Sequence, residues 1–350
     1  MSSLSGILLV DKPGGVSSFA VVDHVRRSLV RAFPELASRG GRPRGGPRPP
    51  RFKCGHAGTL DPLATGLLVL LIGKGSRLSP FLMGLDKTYA ATLRFGAATD
   101  TLDRDGQITD TAPVPDSPAE VVHLLPEFSG RIQQVPPLIS ALKRDGKPLY
   151  KRVRQGEDVA EPEAREVTIA RLEVTGVHWG IPAEIQVDGD APGILGAEGV
   201  VHQMDLLVEC SSGTYIRSLA RDLAVRAGSV GHLHQLRRTQ VGPFDIRDAT
   251  AGVMDLDGVE LARDLLPLDR ALAHLPGLTL TDPEADLVQN GGQPTAEWLD
   301  RLDGELVEAG KAGRLFRILA SDGALLAVGH LDPEKGTPSL AAVIPRDQLE

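Results

Sequence analysis

The chain has 350 residues, 41% of them hydrophobic, and a formal net charge of −8. That length suits one large domain or two smaller ones with a sizeable core, and the composition excludes a collagenous or disordered chain. The only two cysteines, Cys54 and Cys210, lie far apart without CxxC spacing, which excludes a disulfide framework or zinc site and leaves bland thiols.

The charge is unevenly spread. Residues 251–350 hold 18 acids and 8 bases, a balance of −10, which leaves +2 for residues 1–250. A site for a polyanion therefore belongs in the first part of the chain.

Near the N-terminus, the apolar run in SGILLVDKPGG is too short for a signal peptide or a membrane span and stops at Asp11, so a soluble, cytoplasmic protein is expected. Ile7 to Val10 reads as a buried strand. Ser17 or Ser18 then caps a helix whose apolar residues Phe19, Val22, Val25, Leu29 and Phe33 follow helical spacing, and Pro34 closes it. The tract Ser38 to Lys53 carries six basic residues and no acid. Its Gly/Pro content predicts a flexible basic loop, either a phosphate contact or a solvated linker.

The stretch GHAGTLDPLATG, Gly55 to Gly66, holds one carboxylate, Asp61, among small and apolar residues. A solvated surface acid normally sits among polar neighbours, so Asp61 needs another reason. Leu67 to Ile72 is apolar throughout, as in a strand covered on both faces. The GK of the following GLLVLLIGKGS is not a nucleotide-binding loop, because six residues separate Gly66 from Gly73 and Gly75 follows Lys74.

KTYAATLRF alternates, with Tyr89, Ala91, Leu93 and Phe95 on one face and Thr88, Thr92 and Arg94 on the other. Taken alone, this reads Tyr89 as a core tyrosine. TDTLDRDGQI is an Asp-rich turn: as a calcium loop it would have Thr101 in the first ligand position and Ala112 in the twelfth. Pro118 to Phe128 and Lys147 to Gln155 read as helices, and Val167 to Val177 and Met204 to Cys210 as strands. Trp179 to Val200 looks like an exposed insertion in a strand pair.

SSGTYIRSLARDL makes a strand, turn and helix unit with Ile216, Leu219, Ala220 and Leu223 as its buried stripe. Arg217 falls in the first turn, where a cation opposes the helix dipole at about a few tenths of a kcal/mol and calls for an anionic partner. His232 and His234 share a strand face and lack the spacing of a zinc helix. LFRILASDGALLAVG reads as a hairpin about Asp322 and Gly323, beyond a boundary placed at 265 to 275. A lone carboxylate, a first-turn arginine, a tyrosine on an apolar face and basic loops together suggest an enzyme that uses Asp61 as nucleophile or base, with Arg217 holding it ionised.

GILLVDKPGGVSS, GHAGTLDPLATGLLVLLIGKGSR, DKTYAATLRFGAATDTLDRDG, VPPLISALKRDGKPLYKRVRQG, SSGTYIRSLARDL and HLHQLRRTQVGPF, in this order from Gly6 to Phe244, strongly resemble the TruB family of bacterial tRNA pseudouridine synthases. The resemblance implies isomerisation of one uridine in the T loop of tRNA, position 55 in tRNA nomenclature, without cofactor or metal. It implies Asp61 as catalytic residue, with Tyr89, Arg217, Tyr215, Leu236 and His56 around the substrate. Such an enzyme must extrude the base at about a few kcal/mol and enclose it. Gly55, Gly58 and Gly66 would allow tight turns, while Leu63 and Leu67 exclude water. Lys12, Lys53, Lys74, Lys143 and Arg238 are candidate phosphate contacts.

The expected fold is α+β: a pseudouridine synthase catalytic domain over residues 1–265 with a mixed, largely antiparallel sheet, and a small PUA-like β domain over 266–350. The expected partner is the T-arm stem-loop of tRNA, bound by a monomer, with no membrane and no nucleotide cofactor. The competing reading is a non-catalytic tRNA-binding or tRNA-folding protein on the same scaffold.

Overall fold

The computed structural model describes residues 4–37, 52–140, 142–144, 146–157, 159–182, 200–304, 307–308, 314–332 and 335–345. The basic loop up to residue 51 and residues 183–199 of the insertion lie outside the described residues. The chain divides into two units, one of residues 1–61, 67–84 and 243–350, the other of residues 62–66 and 85–242.

In the first unit the apolar start of the chain forms β1 (Gly6–Lys12), whose Ile7 exchanges backbone hydrogen bonds with Leu266 at 3.0 and 2.8 Å. Helix α1 (Ser18–Ala32) is capped by Ser17, whose hydroxyl accepts the Ala20 N–H, and it ends before Pro34. Its buried face is Ser18, Val21, Val22, Val25 and Leu29. Phe19, expected inside, is 75% exposed. One turn before Val22, Ser18 takes the inward position, and its hydroxyl is bonded to Leu60. Strand β2 (Cys54–His56) runs antiparallel to β3 (Thr65–Ile72), which is buried over nearly its whole length as the uniform apolar run predicts. A short helix, α2 (Ser79–Met83), follows.

The second unit contains β4 (Lys87–Phe95), β5 (Ala97–Thr99), β6 (Ile108–Thr111), β7 (Gly130–Gln134), β8 (Lys143–Arg144), β9 (Lys147–Pro148), β10 (Arg165–Pro182), β11 (Val200–Cys210) and β12 (Gly231–Val241). Helices α3 (Pro118–Leu124), α4 (Leu149–Arg154) and α5 (Ile216–Arg226) lie between them. Strands β12, β4, β11, β10 and β7 pair antiparallel in that order, while Thr65 and Gly66 pair parallel with Arg237 and Arg238. The sheet is thus mixed and largely antiparallel.

On β4 the predicted apolar face, Tyr89, Ala91, Leu93 and Phe95, is buried. Helix α5 covers β12 and β4 with Ile216, Leu219, Ala220 and Leu223 turned inward, as read from the sequence. The insertion begins later than expected: Trp179 to Pro182 continue β10 and pair with β11 as far as Val200. Trp179 is held there by its rings' contacts with Phe95 and His202, at 5.4 and 5.0 Å between centroids, and by its Nε1–H donating to the Pro115 carbonyl.

The chain returns to the first unit with β13 (Phe244–Asp245), α6 (Gly258–Arg263) and α7 (Leu268–Ala271). A second sheet follows, built from β14 (Gly277–Thr279), β15 (Val307–Glu308), β16 (Arg314–Leu319), β17 (Leu325–Leu331) and β18 (Pro338–Val343), with α8 (Asp282–Gln289) beside it. Its core packs Leu278, Leu280, Phe316, Ile318 and Leu326. Strands β16 and β17 form the hairpin predicted around Asp322 and Gly323. Among the described residues no helix is long and apolar enough to cross a membrane.

Candidate active site

Asp61 sits half-buried in a loop held on both sides. Before it, the Ser18 hydroxyl donates to the Leu60 carbonyl at 2.9 Å and accepts the Leu60 N–H at 2.8 Å. After it, Leu63 and Ala64 are buried, and Thr65 and Gly66 join Arg237 and Arg238 in parallel register. Gly66 has φ +99°, and a Cβ there would lie 2.3 Å from the Arg238 carbonyl oxygen. Only glycine fits so close to a neighbouring backbone. Gly58 also has positive φ, at 127°, and its N–H donates to His56 Nδ1 at 3.3 Å. Gly55, by contrast, lies in β2, where an added methyl group would meet nothing within 4 Å, so the expectation that it is needed for a tight turn is corrected.

Tyr89 and Leu236 come from neighbouring strands. Tyr89 lies opposite Arg238 and Val208, Leu236 lies opposite Ala91, and each is 8% exposed. Register therefore puts both on one sheet face. At the start of β4, Lys87 is buried and its amine donates to the Leu85 carbonyl. Burial first, and then the Arg238 charge, bring that amine down to about 8.

Arg217 lies in the first turn of α5 with its side chain 5% exposed. Nη1 donates to the Thr101 carbonyl at 2.7 Å, Nη2 donates to the Ile139 carbonyl at 3.0 Å, and Asp103 Oδ2 lies 3.7 Å from Nη1. The Asp-rich segment is a turn, as predicted, but it is also the anionic side of this pair. Asp103 is aimed by the Thr101 hydroxyl and the Asp105 N–H, which donate to its Oδ1 at 2.6 and 3.2 Å. Leu102, the described non-glycine residue with positive φ, +62°, bends the chain just before it. Sequence reasoning missed Asp103, although a first-turn arginine in search of an anion was the signal for it.

Tyr215, the residue before α5, is half-buried, and both its backbone groups bond to the buried Gln134 amide at 2.8 and 3.1 Å. Tyr89, Leu236, Tyr215 and Arg217 thus belong to the unit of residues 62–66 and 85–242, while His56 and Asp61 belong to the other.

The basic candidates differ in access. Lys12 is fully buried, its amine donating to the Pro13 and Val16 carbonyls at 2.8 and 2.6 Å, and Arg238 is 1% exposed. Lys53 is exposed, Lys74 is half-buried, and Lys143 stands on β8. Cys54 and Cys210 are free thiols, pushed up by burial to about 12 and about 11, which makes them poor nucleophiles.

The model of the TruB family of pseudouridylate synthases, N-terminal domain, matches residues 49–216. The tRNA pseudouridine synthase B of Aromatoleum aromaticum is 40% identical over 290 residues, 82% of this chain and 80% of that protein. That of Saccharophagus degradans is 35% identical over 339 residues, 95% of this chain and 93% of its own. Among solved structures, a chain in the crystal structure of a Cbf5-Nop10-Gar1 complex matches 98% of this chain and 84% of its own length, with a TM-score of 0.62 at 22% identity. That last likeness is one of fold.

Proposed function

The chain belongs to the TruB family of pseudouridylate synthases, and from that premise we propose that it isomerises uridine to pseudouridine at position 55, in the T loop of tRNA. In this reading the enzyme acts as a cytoplasmic monomer, and Asp61 is the residue on which the reaction turns. The observation that carries the assignment is the Asp61 loop itself: a carboxylate among small and apolar residues, fixed through Leu60 on one side and through Thr65 and Gly66 on the other. Fixing a reacting group before substrate arrives lowers the entropic cost of attack.

The reaction breaks the N1–C1′ bond, turns the base and forms a C5–C1′ bond. C5 loses its proton and N1 gains one, so atoms and electrons balance without a redox partner. Asp61 serves as nucleophile or base, and Arg217 is the guanidinium that the family resemblance assigns to the substrate's surroundings. Asp103, paired with Arg217, keeps that guanidinium in place. Tyr89 stacks on the extruded base, for which about 1–3 kcal/mol is typical of base–aromatic contacts, and Leu236, Tyr215 and His56 complete the surroundings. Of the basic set, Lys53 is the exposed described member and the first candidate for a phosphate contact.

The test is conversion of a T-arm stem-loop, with pseudouridine mapped by position. Product at one T-loop position supports the reading. Tight binding without product favours the RNA-folding alternative.

A further inference from the structure

Strand β7 ends at Gln134, which pairs with Arg165 of β10 and is 2% exposed. A buried primary amide has to find partners for both its donor and its acceptor. Gln134 finds them on one residue: Oε1 accepts the Tyr215 N–H at 2.8 Å, and Nε2 donates to the Tyr215 carbonyl at 3.1 Å. A neighbouring strand would offer the same pattern to an extended residue, and Tyr215 is extended, with φ −104° and ψ 109°. An amide supplies both halves of it, whereas a carboxylate supplies only the acceptor.

Helix α5 starts from Tyr215, whose own side chain does not cap it. The start of the helix is fixed from outside instead, by Gln134 and the residues that follow it in the same unit. The Val135 carbonyl accepts from the Ser218 hydroxyl at 2.8 Å and from Arg221 Nη2 at 3.1 Å, and the Ile139 carbonyl accepts from Arg217 Nη2 at 3.0 Å. These bonds hold side chains of the helix. The Gln134 amide holds the backbone of Tyr215, and so fixes where the Cα–Cβ bond of that residue points.

We propose that Gln134 is a positioning residue for the reaction, acting through Tyr215 by setting the place of the phenol ring beside the base. The inference rests on the reading above, in which Tyr215 belongs to the substrate's surroundings. With its backbone held, the ring has only its own side-chain torsions left to settle, and a group placed before substrate arrives costs less entropy in the transition state. A core amide that merely stabilises the fold would make the same bonds, but its loss would slow turnover whatever side chain stands at position 215.

The test is a double-mutant cycle on turnover of the T-arm stem-loop, with Tyr215→Ala on one edge and Gln134→Met or Gln134→Asn on the other. Methionine keeps the bulk of the side chain and removes both bonds, while asparagine keeps the amide and shortens its reach. With Tyr215 in place, either change is expected to lower kcat about tenfold while KM stays within about threefold. In the Tyr215→Ala background neither lowers kcat further. The melting temperature falls equally in both backgrounds, because the lost bonds go to backbone groups that do not depend on the side chain. The chain has three tyrosines, so labelling with fluorotyrosine gives three fluorine resonances, and Tyr215→Phe identifies that of Tyr215. Loss of the amide moves or broadens the Tyr215 resonance and leaves the others in place. The same fall in kcat in both backgrounds, a Tyr215→Ala protein that turns over like the wild type, or an unmoved Tyr215 resonance would overturn the positioning role. A wild type that forms no product overturns the enzymatic reading itself, and the Tyr215 resonance then decides alone whether Gln134 places the ring.

Discussion

Asp103 and Arg217 form a buried ion pair whose side chains are 9% and 5% exposed, and that burial sets what their loss would cost. Removing one partner of such a pair leaves the other charge uncompensated, typically at about 3–5 kcal/mol. Asp103→Asn is therefore expected to lower the melting temperature and to reduce kcat at least about tenfold, with KM for the stem-loop changed far less. A loss confined to KM would mean that the pair serves RNA binding alone. At this scale the sequence was informative where chemistry demanded a partner. It marked Asp61 as an acid without polar company and Arg217 as a cation at the wrong helix end. It did not separate Lys12 and Arg238 from exposed bases, because burial of a long charged side chain depends on carbonyls supplied by the fold, such as those of Pro13 and Val16 around Lys12.

Gly55 in β2 and Gly66 in β3 make opposite predictions at the scale of the element. Gly66→Ala must place a methyl 2.3 Å from the Arg238 carbonyl oxygen at φ +99°, and is expected to destabilise the protein by about 3 kcal/mol or more in denaturant unfolding. Gly55→Ala meets nothing within 4 Å and is expected to be neutral to within about 0.5 kcal/mol. Equal effects would mean that the loop's register on Arg237 and Arg238 does not constrain it.

Strand β12 carries a pH dependence. His232 is fully buried, its Nδ1–H donates to the Ala97 carbonyl at 2.8 Å, and burial holds its pKa below the ordinary 6.5. His274 is lowered for the same reason. Between the folded value and 6.5 the unfolded chain binds more protons, so stability falls as pH drops below about 6.5. The melting temperature should decline from pH 7 to pH 5, and His232→Gln should flatten part of that decline; an unchanged slope would remove His232 as its source. Period-2 alternation made β4 legible, and uniform apolarity did the same for β3. The sequence could not tell that both histidines of HLHQLRR are buried, because β12 shifts register between Leu233 and Gln235 and the simple alternation breaks there.

The molecule as a whole carries −8, with −10 in residues 251–350 and +2 in residues 1–250. RNA affinity then has to come from local clusters of bases acting against an unfavourable overall field. Binding of tRNA should fall steeply with salt, as phosphate contacts release counterions; a flat response between 50 and 200 mM, roughly the range over which such complexes lose most affinity, would contradict RNA as the partner. Architecture at this scale was readable from the order of motifs and from the late hairpin. What could not be read was the division of the chain, in which residues 1–61, 67–84 and 243–350 group together, because long-range packing leaves no local pattern.

In the proposed reaction Asp61 breaks and remakes the bond between base and ribose. The most direct test is tritium release from tRNA, or from a T-arm stem-loop, labelled at C5 of uridine, with wild type and Asp61→Asn compared under single turnover. Release by the wild type, no detectable release by the variant, and RNA affinity of the variant within about a few-fold of wild type are expected, since uniform binding does not depend on a group that acts in the transition state. Release at comparable rates by both proteins, or tight binding by the wild type with no release at all, would contradict it.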